Sequence, residues 1–176
     1  MKYCLPYGSG DSHIEKEIDE RQNDIATYLA QLMEKPLTHE QAGRIPILLH
    51  CVNDAERIGD HALIIRDIFT SFVTGEKTLS REANEDYIKI HSKLIRQAQA
   101  TLSLLAGAGD SVRRASMSLR DEILVSSILC EQNHLTRMRE KRCSSDSGIL
   151  YIELLGEIRK VSRHLANITE RCSSFG

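Results

Sequence analysis

The stretch Asn53–Ile65, NDAERIGDHALII, reads as the middle of an amphipathic helix that contains residues a helix does not favour. Ala55, Ile58, Ala62 and Ile65 follow one another in steps of three and four, so they share one face. Glu56 and Asp60 sit one turn apart, and like charges at that spacing cost roughly 0.2–0.5 kcal/mol. Gly59 interrupts good helix formers, at roughly 1 kcal/mol against alanine. Some other interaction must offset both.

Working outward, the apolar face extends back through Leu48 and Cys51 and on to Phe69. Thr38 is the expected N-cap, with Glu40 and Gln41 in the first turn. The helix runs to about Val73 and stops before Gly75; Pro46, in its early turns, allows a kink or a later start. Before it, a helix from about Ser12 to Glu34 is stopped by Lys35-Pro36. After it, Ser80 caps a third helix that ends at Gly107-Ala-Gly109. Asp110 or Ser111 opens a fourth to about Lys141, and Ser145 or Asp146 a fifth to about Cys172. Strand-type alternation is absent and the connections are short. The expected fold is therefore an all-α antiparallel bundle of five long helices.

The second and fifth helices carry the same stripe. Tyr151, Leu154, Ile158, Val161, Leu165, Ile168 and Cys172 follow Leu48, Cys51, Ala55, Ile58, Ala62, Ile65 and Phe69 at an offset of 103 residues. His61 and His164 match at that offset, as do Asp54 with Glu157 and Asp67 with Glu170. These polar matches point to an internal duplication. The two halves are residues 12–75 and 78–174, behind an N-terminal tail, 1–11. Glu56 and Asp60 do not repeat: Arg159 and Arg163 stand in their places. A second acidic pair at one-turn spacing, Glu15 and Asp19, lies on the first helix, and its best match on the fourth is Glu122 and Ser126.

NDAERIGDHA followed by an apolar helix resembles the signature of the PhoU family, helical proteins tied to phosphate uptake. The run from Glu15 to Ala62 is similar to the cytoplasmic PhoU-like region at the C-terminus of bacterial sodium/phosphate cotransporters. The early ID, the YL before the helix break, LT-x-E-Q, LLH-x-VND and ERIGDHA carry the likeness, which covers residues 15–69. The resemblance implies two tandem three-helix bundles and, in some members, E(D)xxxD motifs that bind metal clusters. A complete relative would have six helices. Here the helix before the first is missing and no membrane half is present, so the chain is expected to be a fragment or a stand-alone relative.

On this reading Glu15, Asp19, Glu56 and Asp60 converge on one helix seam as oxygen ligands for a divalent or trivalent metal ion of unknown identity. Asn53, one turn before Glu56, adds a further oxygen. The alternative is a solvated acidic face. His61 points about 100° from Asp60 and is not counted. Gly59 is expected to permit close approach of a neighbouring helix, and Arg57 to pair with an acid on the partner helix or to be solvated. Arg159 and Arg163 are expected to pair with Glu122 or Glu157, or to bind an anion. Glu131-x-x-His134 is half of a diiron signature that needs the motif twice, and is read as a solvated helix face. His39-Glu40 is read as capping chemistry. No phosphate loop, GxSxG or CxxC is present, so no catalytic residue is expected.

Charge is uneven along the chain. Residues 1–88 carry 9 Lys/Arg and 16 Asp/Glu, and residues 89–176 carry 14 and 9. Either the unevenness is chance or the halves attract each other, or an acidic half takes cations and a basic half meets an anionic surface. A net charge of −2 argues against nucleic acid as a partner. The five cysteines form no CxxC pair; Cys51 and Cys172 fall on apolar faces, as buried thiols in a reducing cytosol. No run reaches the ~18 apolar residues of a membrane span, and MKYCLPYGSGDS has no signal-peptide core. The expectation is a soluble cytoplasmic regulatory or accessory module of sodium-dependent phosphate transport. It would act through protein contacts, as a homodimer or with a cotransporter membrane domain, fused or separate, at the inner face of the membrane. The alternatives are a carboxylate-bridged metal enzyme and a purely structural dimerisation bundle.

Overall fold

The computed structural model describes residues 11–75, 79–142 and 144–172. They form five helices and, among the described residues, no strands: α1 (Asp11–Met33), α2 (His39–Thr74), α3 (Arg81–Leu105), α4 (Asp110–Arg139) and α5 (Ser145–Cys172). Nearly all of the expected N-terminal tail lies outside the described residues.

The helix starts follow local chemistry. Thr38 and Gln41 make a reciprocal capping box: the Gln41 amide donates to Thr38 Oγ1 at 3.2 Å, and the Thr38 amide to Gln41 Oε1 at 3.0 Å. Ser80 Oγ accepts from the Ala83 amide at 3.2 Å. Gly107, at φ +94°, turns the chain from α3 towards α4, a conformation that disfavours any side chain. Pro46 neither delays nor ends α2, which is helical from His39 onward. Pro46 and Ala42, whose carbonyl loses its usual partner, are both exposed, so water can take the unmade bond.

The chain is built around α5. Tyr151, Leu154, Leu155 and Ile158 on it are almost completely buried, each worth about 1.5–3 kcal/mol relative to an exposed side chain. α2, α3 and α4 all pack on α5, and α1 packs mainly on α2. Ile68 and Phe72 of α2, Ile90 and Leu94 of α3 and Ile123 of α4 complete one core. A buried polar seam then fixes how the helices slide. Gln97 Nε2 donates to the Ser162 carbonyl at 2.9 Å, Ser162 Oγ donates to Gln97 Oε1 at 2.6 Å, and Thr101, Ser116 and Thr169 share hydroxyl contacts of 2.9–3.3 Å. Leaving any of these unpaired would carry a desolvation penalty, so α3, α4 and α5 are held in one register.

The α2–α5 contact is reciprocal. His61 Nδ1 lies 2.7 Å from Glu157 Oε2, and His164 Nδ1 2.7 Å from Asp54 Oδ1. Each Nδ1–H donates, because an ionised carboxylate only accepts. The two imidazoles stack, with centroids 5.5 Å apart. Residues equivalent at the 103 offset thus exchange partners, as across a two-fold interface. This geometry is what a duplicated hairpin packed on its own copy would give.

Candidate functional site

The acids of the opening stretch lie on the face of α2 that meets α1. Gly59 brings the helices together there: a Cβ on it would stand 3.0 Å from Ile18 Cδ1. Its expected role, close helix approach, is thus visible in the geometry. Glu56 is half-buried beside Asp60, and its carboxyl is raised above the ordinary value. Burial is the main cause, followed by the Asp60 charge; Asp19, across the seam on α1, adds to it, while Arg57 opposes it.

Arg57 answers the question raised by the like charges. It does not reach a partner helix. Its guanidinium lies 3.6 Å from Glu56 and 3.4 Å from Asp60, both on its own helix. One residue after Glu56 and three before Asp60, it spans the pair they form, offsetting part of their repulsion without any ion. Asn53 is occupied too: its Oδ1 accepts from Gln22 Nε2 of α1 at 3.3 Å. Glu15 is exposed, one turn before Asp19.

The fit to a metal ion is therefore partial. Glu56 on α2 feels the negative charges of Asp60 on its own helix and of Asp19 on α1. Yet among the described residues no three His, Cys, Asp or Glu side chains stand together as a ligand set.

Several other expectations change in three dimensions. Arg159 donates to Glu131 of α4 at 2.8 Å, whereas Glu122 pairs with Lys93, and Glu157 with Lys160 and His61. Arg163 is exposed and has no ion pair among the described residues. Glu131 and His134 do not act together: Glu131 holds Arg159, while His134 is buried against the Tyr151 ring, not solvated. Cys51 is buried as expected, and burial with the nearby Cys172 pushes its thiol up to about 11, far from a reactive thiolate.

Sequence reasoning aligned Asp54 with Glu157 and His61 with His164 but did not foresee that they contact one another. Asp54 accepts from His164, from Asn167 Nδ2 at 3.0 Å and from Arg171. Burial alone would raise its carboxyl; these three partners outweigh that and lower it. The shared offset was the available signal, since polar residues at matching places in two apolar stripes meet when the stripes pack on each other.

Family comparison fits the part of the chain that carries this geometry. Residues 12–69 match the PhoU domain family. Neither a curated protein nor a solved structure matches the chain. The PhoU match covers α1 and most of α2, the hairpin with the acidic seam. The matched domain suggests a regulatory module related to phosphate homeostasis. Among the described residues no helix is long and apolar enough to cross a membrane.

Proposed function

We propose that the chain is a PhoU-like cytoplasmic module that regulates sodium-dependent phosphate transport through protein contacts. The PhoU match on residues 12–69 carries this reading. The partner is a sodium/phosphate cotransporter membrane domain, in the same polypeptide or separate. Affinity purification of the full chain from native membranes tests it: recovery of a sodium/phosphate transporter with it supports the reading, and its absence under mild detergent overturns it.

Two further elements belong to the same proposal. The module self-associates, because α1 leaves Ile14, Ile25, Tyr28 and Met33 more than two-fifths exposed. Light scattering would then report a dimer, and a strict 19.9 kDa monomer at micromolar concentration removes this element. The acidic seam takes a divalent or trivalent cation, which Glu56, Asp60 and Asp19 would hold, with Glu15 and Asn53 at its rim. Bound to the native state alone, it would add its binding free energy to folding. Elemental analysis and melting curves with and without chelator test this; a melting temperature indifferent to both chelator and added metal leaves the acids as a solvated face.

A further inference from the structure

The place that carries acids on the first hairpin carries cations on the second. Ile18 packs on Gly59, and Ile123 and Ser162 line one cleft together. Gly59 and Ser162 are 103 residues apart, as along the rest of α2 and α5; Ile18 and Ile123 are 105 apart. In this register α4 matches α1 two residues earlier than the acidic positions alone indicate. Glu15, Asp19, Glu56 and Asp60 then correspond to Arg120, Leu124, Arg159 and Arg163.

Those positions form a cleft of about 310 Å³ between α4 and α5. Arg120, Arg159, Lys160 and Arg163 surround it, Ile123 and Leu124 are its apolar walls, and no acid lines it. Arg159, Lys160 and Arg120 are tethered by Glu131, Glu157 and Asp121, at 2.8, 2.6 and 2.7 Å. None of these three acids lies in the cleft, so each holds a cation at the edge without filling the centre. Arg163 has no such acid among the described residues. Gly156 is part of the lining, and the space beside it is open: within 4 Å a Cβ there would meet only the Arg159 guanidinium, at 3.9 Å.

We propose that this cleft binds a phosphate-class oxyanion, inorganic phosphate or a condensed form such as pyrophosphate. Three guanidinium groups present planar forks that match tetrahedral oxyanions, a match lysines alone do not provide. A cleft of about 310 Å³ has room for a condensed phosphate with part of its hydration. The site lies outside the PhoU-matching residues 12–69. It goes beyond the transport reading and does not rest on it.

Calorimetric titration of the full chain in low-salt chloride buffer, with inorganic phosphate and separately with pyrophosphate, tests the proposal. Saturable binding to one site is expected. Arg163→Glu should weaken it by about tenfold or more, Arg159→Gln should weaken it too, and Arg81→Gln, on the far end of α3, should leave it unchanged. Arg163 is exposed, so its variants should keep the wild-type melting curve; should Arg163→Glu fail to fold, Arg163→Gln replaces it with the same expected direction. Absence of saturable binding at millimolar phosphate and pyrophosphate overturns the proposal, as does wild-type affinity in the Arg163 and Arg159 variants. Co-sedimentation with phosphatidylglycerol vesicles without binding of free phosphate or pyrophosphate also overturns it, and assigns the cations to a membrane surface.

Discussion

Two carboxylates two residues apart on α2 respond to pH in opposite senses. Asp54 is held below the ordinary carboxylate range, because His164, Asn167 and Arg171 outweigh its burial. Its contribution to stability is present at neutral pH and is lost as pH falls through its folded value. Asp54→Asn should therefore cost about 3 kcal/mol at neutral pH, as breaking a buried pair does, and the gap to wild type should shrink in acid. Urea unfolding at both pH values measures this. Glu56 is raised, mainly by burial and then by Asp60. A raised carboxyl stabilises only below its unfolded value, and that contribution is lost as pH rises through the folded one. Without metal, Glu56→Gln should stabilise the protein at neutral pH by a few tenths of a kcal/mol, roughly the size of a helical like-charge pair. A neutral-pH melting temperature that falls in Glu56→Gln would mean that Arg57 more than offsets the repulsion.

The helices themselves were legible because their signals are local. Thr38 with Gln41, and Ser80 with Ala83, cap where hydroxyl chemistry says they should, and the three-four stripe of α5 is the face it buries. What one helix meets is not local. Periodicity put His134 on a helix but gave no sign of the Tyr151 ring that covers it. Spacing put Arg57 within reach of a neighbouring helix, and its own turn claimed it instead. The register of α4 against α1 depended on where Ile18 meets Gly59, a contact between side chains that no spacing encodes. Gly59 tests the element scale. In Gly59→Ala the propensity gain, about 1 kcal/mol, opposes a small shift of the flexible Ile18 end, so stability should stay close to wild type. Gly59→Leu has no such room, and overpacking of about 1–3 kcal/mol should push α1 off α2. Thermal melts that rank the two variants equally would deny that the helices approach closely here.

At the scale of the whole molecule the two hairpins are unequal in support. α4 and α5 are covered by α3, which is locked to α5 by the Gln97–Ser162 and Thr101–Thr169 contacts and to α4 by Thr101–Ser116. α1 has its main packing on α2 alone, with Leu29 as its one buried side chain among the described residues. Local opening concentrates where few buried contacts hold an element, so α1 should exchange its amides well before the global unfolding limit. A cation held between Asp19 of α1 and Glu56 and Asp60 of α2 would act on that opening step. It binds only the closed hairpin, so its stabilisation grows with cation concentration as mass action requires. It gives nothing to openings of α3, α4 or α5, which leave the acidic seam intact. Chelation should therefore speed exchange in residues 12–73 and leave 110–172 as they were. Hydrogen exchange followed by mass spectrometry, on chelated and metal-supplied protein, reads this directly. Equal acceleration in both stretches would place any metal effect on the shared α2–α5 interface, and unchanged rates in both would remove the cation from the acidic seam.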